Sequence, residues 1–249
     1  MKALVFSEDF MDTVKIKKKG TRLIAHRGLS GIECENTAAA FVAAGNRDYF
    51  GIETDIHRTA DGKFIVIHDD TTARVSLTDL SVENSDFDTL RTVRLRDKYG
   101  LCRGDLCLPS AEEYFRICKK YGKTAVTELK NKFAEEDIIS IADIARREYS
   151  LDRVIFISFV YENLIALKNY LPNVSAQLLY RGRVNDELTD KLKRYGLDLD
   201  IRYDRLTKKN ISLLHSLGIK VNCWTCDDRK DADTLAGWGV DYITTNILQ

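Results

Sequence analysis

The sequence predicts a (β/α)8 TIM barrel with a catalytic β-hairpin extending from its second strand. Three observations point there. Eight apolar, strand-like runs alternate with amphipathic helices over 249 residues, the length and order of that fold. The helical stretches repeat their apolar residues every three or four positions and stop at glycine. Acids, lysine and histidine collect at the C-terminal ends of the strand-like runs, the face on which such barrels carry chemistry. A doubly wound open sheet is the structural rival, but it usually has fewer strands and a glycine-rich first turn, which is not seen here. No domain boundary or internal repeat interrupts the pattern, so residues 1–249 are expected to form one barrel domain with its core from about residue 20.

In chain order the strand-like runs are Leu23–His26, Tyr49–Asp55, Thr124–Glu128, Arg153–Phe159, Val174–Tyr180, Gly196–Ile201, Ile219–Thr225 and Val240–Thr244. A helix begins at Ala38, after Glu35-Asn36-Thr37, where Asn36 or Thr37 could cap it and Glu35 could support a site from behind. Further helices are expected over Ala111–Tyr121, Ala134–Tyr149, Tyr161–Leu171, Asp186–Tyr195, Lys208–Leu217 and Arg229–Trp238, with Gly122, Gly196, Gly218 and Gly239 standing where helices should stop. The second strand carries the elaboration. Thr59-Ala60-Asp61-Gly62-Lys63 is a turn signal followed by the β-rich Phe64-Ile65-Val66-Ile67, and so short a link can only close a hairpin. Folding about Asp61-Gly62 brings His68 back beside Asp55. The irregular stretch from Thr71 to Leu108 is an excursion before the third strand and a candidate substrate-covering lid.

Composition excludes several functions. Lys+Arg and Asp+Glu both total 38, so no global field draws the chain to nucleic acid or membrane. No apolar stretch approaches the ~20 residues of a membrane span. Residues 1–10 carry acids where a signal peptide would be apolar, which makes the cytoplasm the expected location. The six cysteines are then expected to be reduced packing thiols, Cys223 and Cys226 included, because their odd offset turns the two sulfurs to opposite faces of a strand. Lys15-Ile16-Lys17-Lys18-Lys19 reads as a solvated charge run and His215 as a helix C-terminal residue, while His57, on the Glu53/Asp55 face, is expected to touch substrate or solvent.

The chemistry-bearing residues fall at strand ends. Glu53 and Asp55 share one face of the second strand, and His68 faces them across the hairpin. Glu128 and Lys130 end the third strand as an acid and a base on one face. Three carboxylates without Cys or His among the ligands favour a hard cation, Mg²⁺ or Ca²⁺. His26-Arg27 closes the first strand, and a forked guanidinium beside an imidazole suits proton transfer next to a phosphate.

Taken together, His26-Arg27-Gly28, Glu35-Asn36-Thr37, Glu53-x-Asp55, Thr59-x-Asp61-Gly62, His68-Asp69, Leu108-Pro109-x-x-Glu112, Glu128-x-Lys130, Ser158-Phe159 and Trp224 resemble, in this order, the glycerophosphodiester phosphodiesterase family, within the phosphatidylinositol-phospholipase-C-like phosphodiesterases. The likeness runs from about residue 22 to 246. It implies a (β/α)8 barrel that hydrolyses glycerophosphodiesters to glycerol 3-phosphate and an alcohol with one divalent cation. It makes Glu53, Asp55 and Glu128 the metal ligands, His26 and His68 the acid/base pair, Arg27 and Lys130 the phosphate contacts, and Trp224 a wall of the substrate pocket. Cys34 departs from the family's usual Pro, and Thr225-Cys226-Asp227 from its usual Thr-Val-Asn. The expected partner is a small-molecule phosphodiester, with neither nucleic acid nor an integral membrane segment; the oligomeric state is left open. Two rivals remain. A lysophospholipase D or sphingomyelinase D type of enzyme would need an apolar collar for acyl chains, whereas the excursion is polar. A non-catalytic phosphate-binding barrel would not need two histidines.

Overall fold

Strand alternation sorts this chain into a barrel with two apolar layers. The computed structural model describes residues 12–97 and 99–249. Its strands are β1 (Arg22–Ala25), β2 (Gly51–Arg58), β3 (Phe64–Val66), β4 (Thr124–Leu129), β5 (Val154–Ser158), β6 (Ser175–Tyr180), β7 (Asp198–Arg202), β8 (Val221–Trp224) and β9 (Tyr242–Thr245). All but β3 pair in parallel with their neighbours, and β1 pairs with both β2 and β9, so the sheet closes on itself. One set of side chains, including Ile52, Ala125, Phe156, Leu199 and Ile243, packs outward against the helices. The alternate set, including Ile24, Val126, Ile155 and Leu179, fills the barrel interior. The expected (β/α)8 barrel is the observed one.

The helices are α1 (Ala38–Gly45), α2 (Phe87–Arg91), α3 (Ala111–Tyr121), α4 (Glu135–Glu148), α5 (Tyr161–Tyr170), α6 (Asp186–Tyr195), α7 (Lys208–Ser216) and α8 (Arg229–Trp238). Their ends follow from local chemistry. Ser110 and Glu113 form a reciprocal capping box on α3, and Asn185 and Asp228 cap α6 and α8 through their side chains. Gly122, Gly196 and Gly239 close α3, α6 and α8 in the left-handed conformation; Gly218 lies one residue past the cap of α7. At α1, Thr37 is the cap, accepting from the Ala40 amide at 3.3 Å, which frees Asn36 for another task.

The hairpin forms as expected. β2 continues three residues past Asp55, and Ile56, His57 and Arg58 pair antiparallel with Val66, Ile65 and Phe64. The excursion is a different matter. Val82, Leu90, Val93, Leu95, Leu106 and Leu108 bury against Ile65 and Ile67 of the hairpin in a second core, and none of the excursion's described residues lines the central cavity. It buttresses the hairpin and is not a lid, because its apolar side chains already have a partner to bury against. Pro109 joins it to the barrel by accepting the Val66 amide at 2.9 Å.

Cys223 and Cys226 are free, buried thiols in the outer core, and all six cysteines are unpaired. His215, in the last turn of α7, bonds Asp241 at 2.8 Å. Lys18 of the basic run pairs with Asp48 on the surface. The expectation for residues 1–10 lies outside the described residues. Among the described residues no helix is long and apolar enough to cross a membrane.

Candidate active site

The register of β2 on β4 sets the centre of the site. Asp55 lies opposite Glu128, and Glu53 sits one inward position earlier on the same strand. All three are buried, and each offers a carboxylate oxygen within 4.8 Å of the others'. The strand-end turn after β1 supplies the next residues. Arg27 adopts φ +53° and Gly28 φ +76°, a tight left-handed corner that any Cβ at position 28 would push into Ala40, 2.7 Å away. The corner turns the Arg27 amide onto Glu53 Oε2 at 2.8 Å, while the guanidinium reaches Glu35 at 2.9 Å and Asp55 at 3.5 Å. Asn36, released from capping, donates to Asp55 at 2.8 Å and accepts from Thr54.

The charges in this cluster do not balance evenly. Burial would raise the Asp55 carboxyl, but Lys130 at 3.4 Å and Arg27 outweigh it and hold Asp55 below the usual carboxylate range. Glu53 has weaker support: burial, then Asp55 and Glu128, push it well above that range, against the charge and amide of Arg27. Glu128 is pushed up to about 8 by burial and Asp55, despite Lys130 at 3.1 Å. Lys130 and an Arg27 shared with Glu35 cannot neutralise three converging carboxylates, so the donor set fits a divalent cation, with oxygen ligands of the kind hard cations take.

Two imidazoles border the same cavity, a space of about 100 Å³ at the C-terminal mouth of the barrel that Glu53, Glu128, His26, His68 and Trp224 help to line. His26 Nδ1 lies 2.8 Å from Asn246 Oδ1. The Asn246 amide is oriented by donating to Asp227 Oδ2 at 2.6 Å, so its oxygen faces His26 and Nδ1 is the donor. Burial and the neighbouring Arg27 push His26 down to about 4. His68 Nδ1 donates to Asp69 at 2.6 Å, and Asp69 is held in turn by Arg74. Burial lowers His68 as well, opposed by Asp55. Trp224 meets Phe159 edge-on at 5.5 Å, with the Arg181 guanidinium 4.4 Å above the Phe159 ring.

The structure therefore brings His26, His68, Arg27, Glu53, Glu128 and Trp224 to one cavity, with Asp55 and Lys130 immediately behind it. Glu35 supports the site from behind, pairing with both Arg27 and Arg74. His57 is the correction: it is fully buried, faces Glu83 at 3.4 Å and the His68 carbonyl at 3.3 Å, and braces the hairpin instead of touching substrate or solvent. Past Asp55 the strand belongs to the hairpin, so the Glu53/Asp55 face no longer looks into the barrel. Asn246, Arg181 and Asp200 were not singled out by sequence, and Asp227 only as part of a departure from the family's usual residues. The available signal for Arg181, Asp227 and Asn246 was their position just beyond a strand's C-terminal end, whereas Asp200 sits in the middle of β7.

A sequence model of the glycerophosphoryl diester phosphodiesterase family matches residues 26–248. A glycerophosphodiester phosphodiesterase of Caldanaerobacter subterraneus subsp. tengcongensis is 28% identical over 232 residues, covering 91% of this chain and 94% of that protein. One from Bacillus altitudinis is 26% identical over 234 residues, with 91% and 94% covered. Among solved structures, a glycerophosphodiester phosphodiesterase of Parabacteroides distasonis superposes with a TM-score of 0.76 at 26% identity, covering 91% of this chain and 93% of that one. An Oleispira antarctica phosphodiesterase in complex with its product sn-glycerol-3-phosphate shares the fold, with a TM-score of 0.82 at 23% identity and 90% and 92% covered.

Proposed function

Because the chain belongs to the glycerophosphoryl diester phosphodiesterase family, we infer that it hydrolyses glycerophosphodiesters to glycerol 3-phosphate and an alcohol in the cavity between His26 and His68. The observation that carries this reading is the convergence of three buried carboxylates and two imidazoles at one mouth of the barrel. The oxygen-only donor set favours Mg²⁺ or Ca²⁺ at Glu53, Asp55 and Glu128. When bound, such a cation supplies Lewis acidity and a template for the phosphoryl oxygens.

The chain's own residues do the rest. Arg27 and Lys130 add fixed positive charge where the attacked phosphodiester gains negative charge. His26 donates from Nδ1 to Asn246, so its Nε2 carries the lone pair, and its low proton affinity keeps it neutral near pH 7. It takes the proton from the attacking oxygen, whether water or the glycerol's own 2-hydroxyl. Burial lowers His68, but Asp55 and the Asp69 carboxylate both pull toward the imidazolium, the form in which it gives a proton to the departing alkoxide. This reading takes residues 1–249 as one barrel domain and the substrate as a soluble, deacylated diester. The six unpaired thiols support a reducing, cytoplasmic setting.

Incubation with glycerophosphocholine should release glycerol 3-phosphate, stop with EDTA and resume with Mg²⁺ or Ca²⁺. No product under either cation would overturn the reading in favour of a phosphate-binding barrel, and activity on lysolipids alone would point to a lipid phosphodiesterase.

A further inference from the structure

Asp200 takes no part in the reaction described above, yet it lies in the wall of the same cavity. Its neighbours on β7, Leu199 and Ile201, face outward into the helix-covered core, which turns Asp200 into the barrel. It is 1% exposed, and its Oδ1 has no hydrogen-bond partner among the described residues. The other polar side chains of the interior satisfy one another without it: Asn222 Nδ2 donates to Gln177 Oε1 at 3.1 Å and accepts at Oδ1 from Thr244 at 3.2 Å. A buried carboxyl with a free oxygen is a costly thing to keep for packing alone. Burial, with Glu128 nearby, holds Asp200 well above the usual carboxylate range.

The space in front of it has a defined chemistry. The Asp200 carbonyl accepts the Trp224 indole N–H at 3.3 Å, which fixes the ring as the adjacent wall, and Phe159 stands edge-on to that ring. The Arg181 guanidinium over Phe159 disfavours a cationic group there. An apolar group would leave Asp200 unpaired. A hydroxyl, which both donates and accepts, satisfies it.

We propose that Asp200 is a specificity-determining residue that hydrogen-bonds a hydroxyl of the substrate's organic portion against the Trp224–Phe159 wall, favouring hydroxylated phosphodiesters. The inference rests on the cavity being the active site.

The test compares wild type with Asp200→Leu, close in shape but without polar atoms, and Asp200→Asn, which keeps a donor and an acceptor. Glycerophosphocholine carries hydroxyls on glycerol only, and glycerophosphoglycerol on both sides. Propyl phosphate, a three-carbon ester with no hydroxyl, serves as the control inhibitor. Asp200→Leu should raise the KM for glycerophosphocholine about 10- to 100-fold, with a smaller change in kcat and an unchanged inhibition constant for propyl phosphate. Asp200→Asn should stay within about 3-fold of wild type. The thermal midpoint of Asp200→Leu should rise, since an unpaired buried group has been removed. A loss confined to glycerophosphoglycerol would place the hydroxyl on the leaving alcohol and still support the proposal. Unchanged KM for both diesters, weakened propyl phosphate binding to match, or a lowered thermal midpoint would each overturn it. A wild-type protein that cleaves neither diester would overturn the active-site reading itself.

Discussion

Cation binding to the acidic cluster should expel protons, so affinity should climb with pH. The ligand atoms of Glu53, Asp55 and Glu128 lie within 4.8 Å of one another. At that spacing two unit charges repel by roughly 3.5 kcal/mol at an effective dielectric of ~20, about 2.5 pKa units. Burial adds to this, and Glu128 stands at about 8 instead of its usual 4.5. Below pH 8 a cation must therefore displace the Glu128 proton. From this group alone affinity should rise nearly tenfold from pH 6 to 7 and less steeply toward pH 8, about 50-fold or about 2.3 kcal/mol in all. The consequence for stability has a definite sign. The native cation-free protein holds a proton that the unfolded chain has already released, so its stability falls as pH rises through this range. His26 contributes oppositely, but only between about 4 and its ordinary 6.5. From pH 6.5 to 8 the Glu128 contribution by itself therefore costs the cation-free protein about 1.6 kcal/mol. Isothermal titration of Mg²⁺ or Ca²⁺ at pH 6, 7 and 8, in two buffers of different ionisation enthalpy, measures affinity and proton release together. A Kd unchanged across these pH values, with heats independent of the buffer, would refute the reasoning.

Three further outcomes are expected. His26→Ala or His68→Ala should lower kcat at least ~100-fold with an unchanged circular dichroism spectrum, and near-normal turnover in either would remove that histidine from the chemistry. Asn246→Leu deprives the His26 ring of the acceptor that fixes its tautomer, so kcat should fall at least ~10-fold with little change in KM; a pure KM effect would argue for a substrate contact instead. Gly28→Ala must carry a Cβ 2.7 Å from Ala40 at φ +76°, and urea unfolding should show a loss of more than about 1 kcal/mol. A midpoint and slope matching wild type would mean the corner relaxes freely.

Much of this protein was legible residue by residue because its signals are local. Strand runs, helix stops and the Asp61-Gly62 hairpin each depend on neighbours within a few positions, and the observed elements follow them to within a few residues at either end. Glu53, Asp55, Glu128 and His26 were legible because in a parallel barrel the C-terminal end of every strand points to one mouth, and His68 because the short hairpin folds it back beside them. What stayed hidden depends on which strands become neighbours. Asn246 matters only because closure of the barrel lays β9 beside β1, carrying a residue 220 positions away onto His26. His57 was misread because strand alternation cannot tell where β2 leaves the barrel for the hairpin, and the excursion because irregular backbone says nothing about what its leucines and valines will pack against. Asp200 is the sharpest case. Its sequence marks it as one acid among many, and only the self-satisfied partners around it in the folded interior leave its Oδ1 without a partner. Sequence by itself determined the barrel and the residues that could do chemistry, since these follow from periodicity and side-chain type. Tertiary structure decided which of them lack a protein partner, because burial and hydrogen-bond pairing are properties of the whole packed interior.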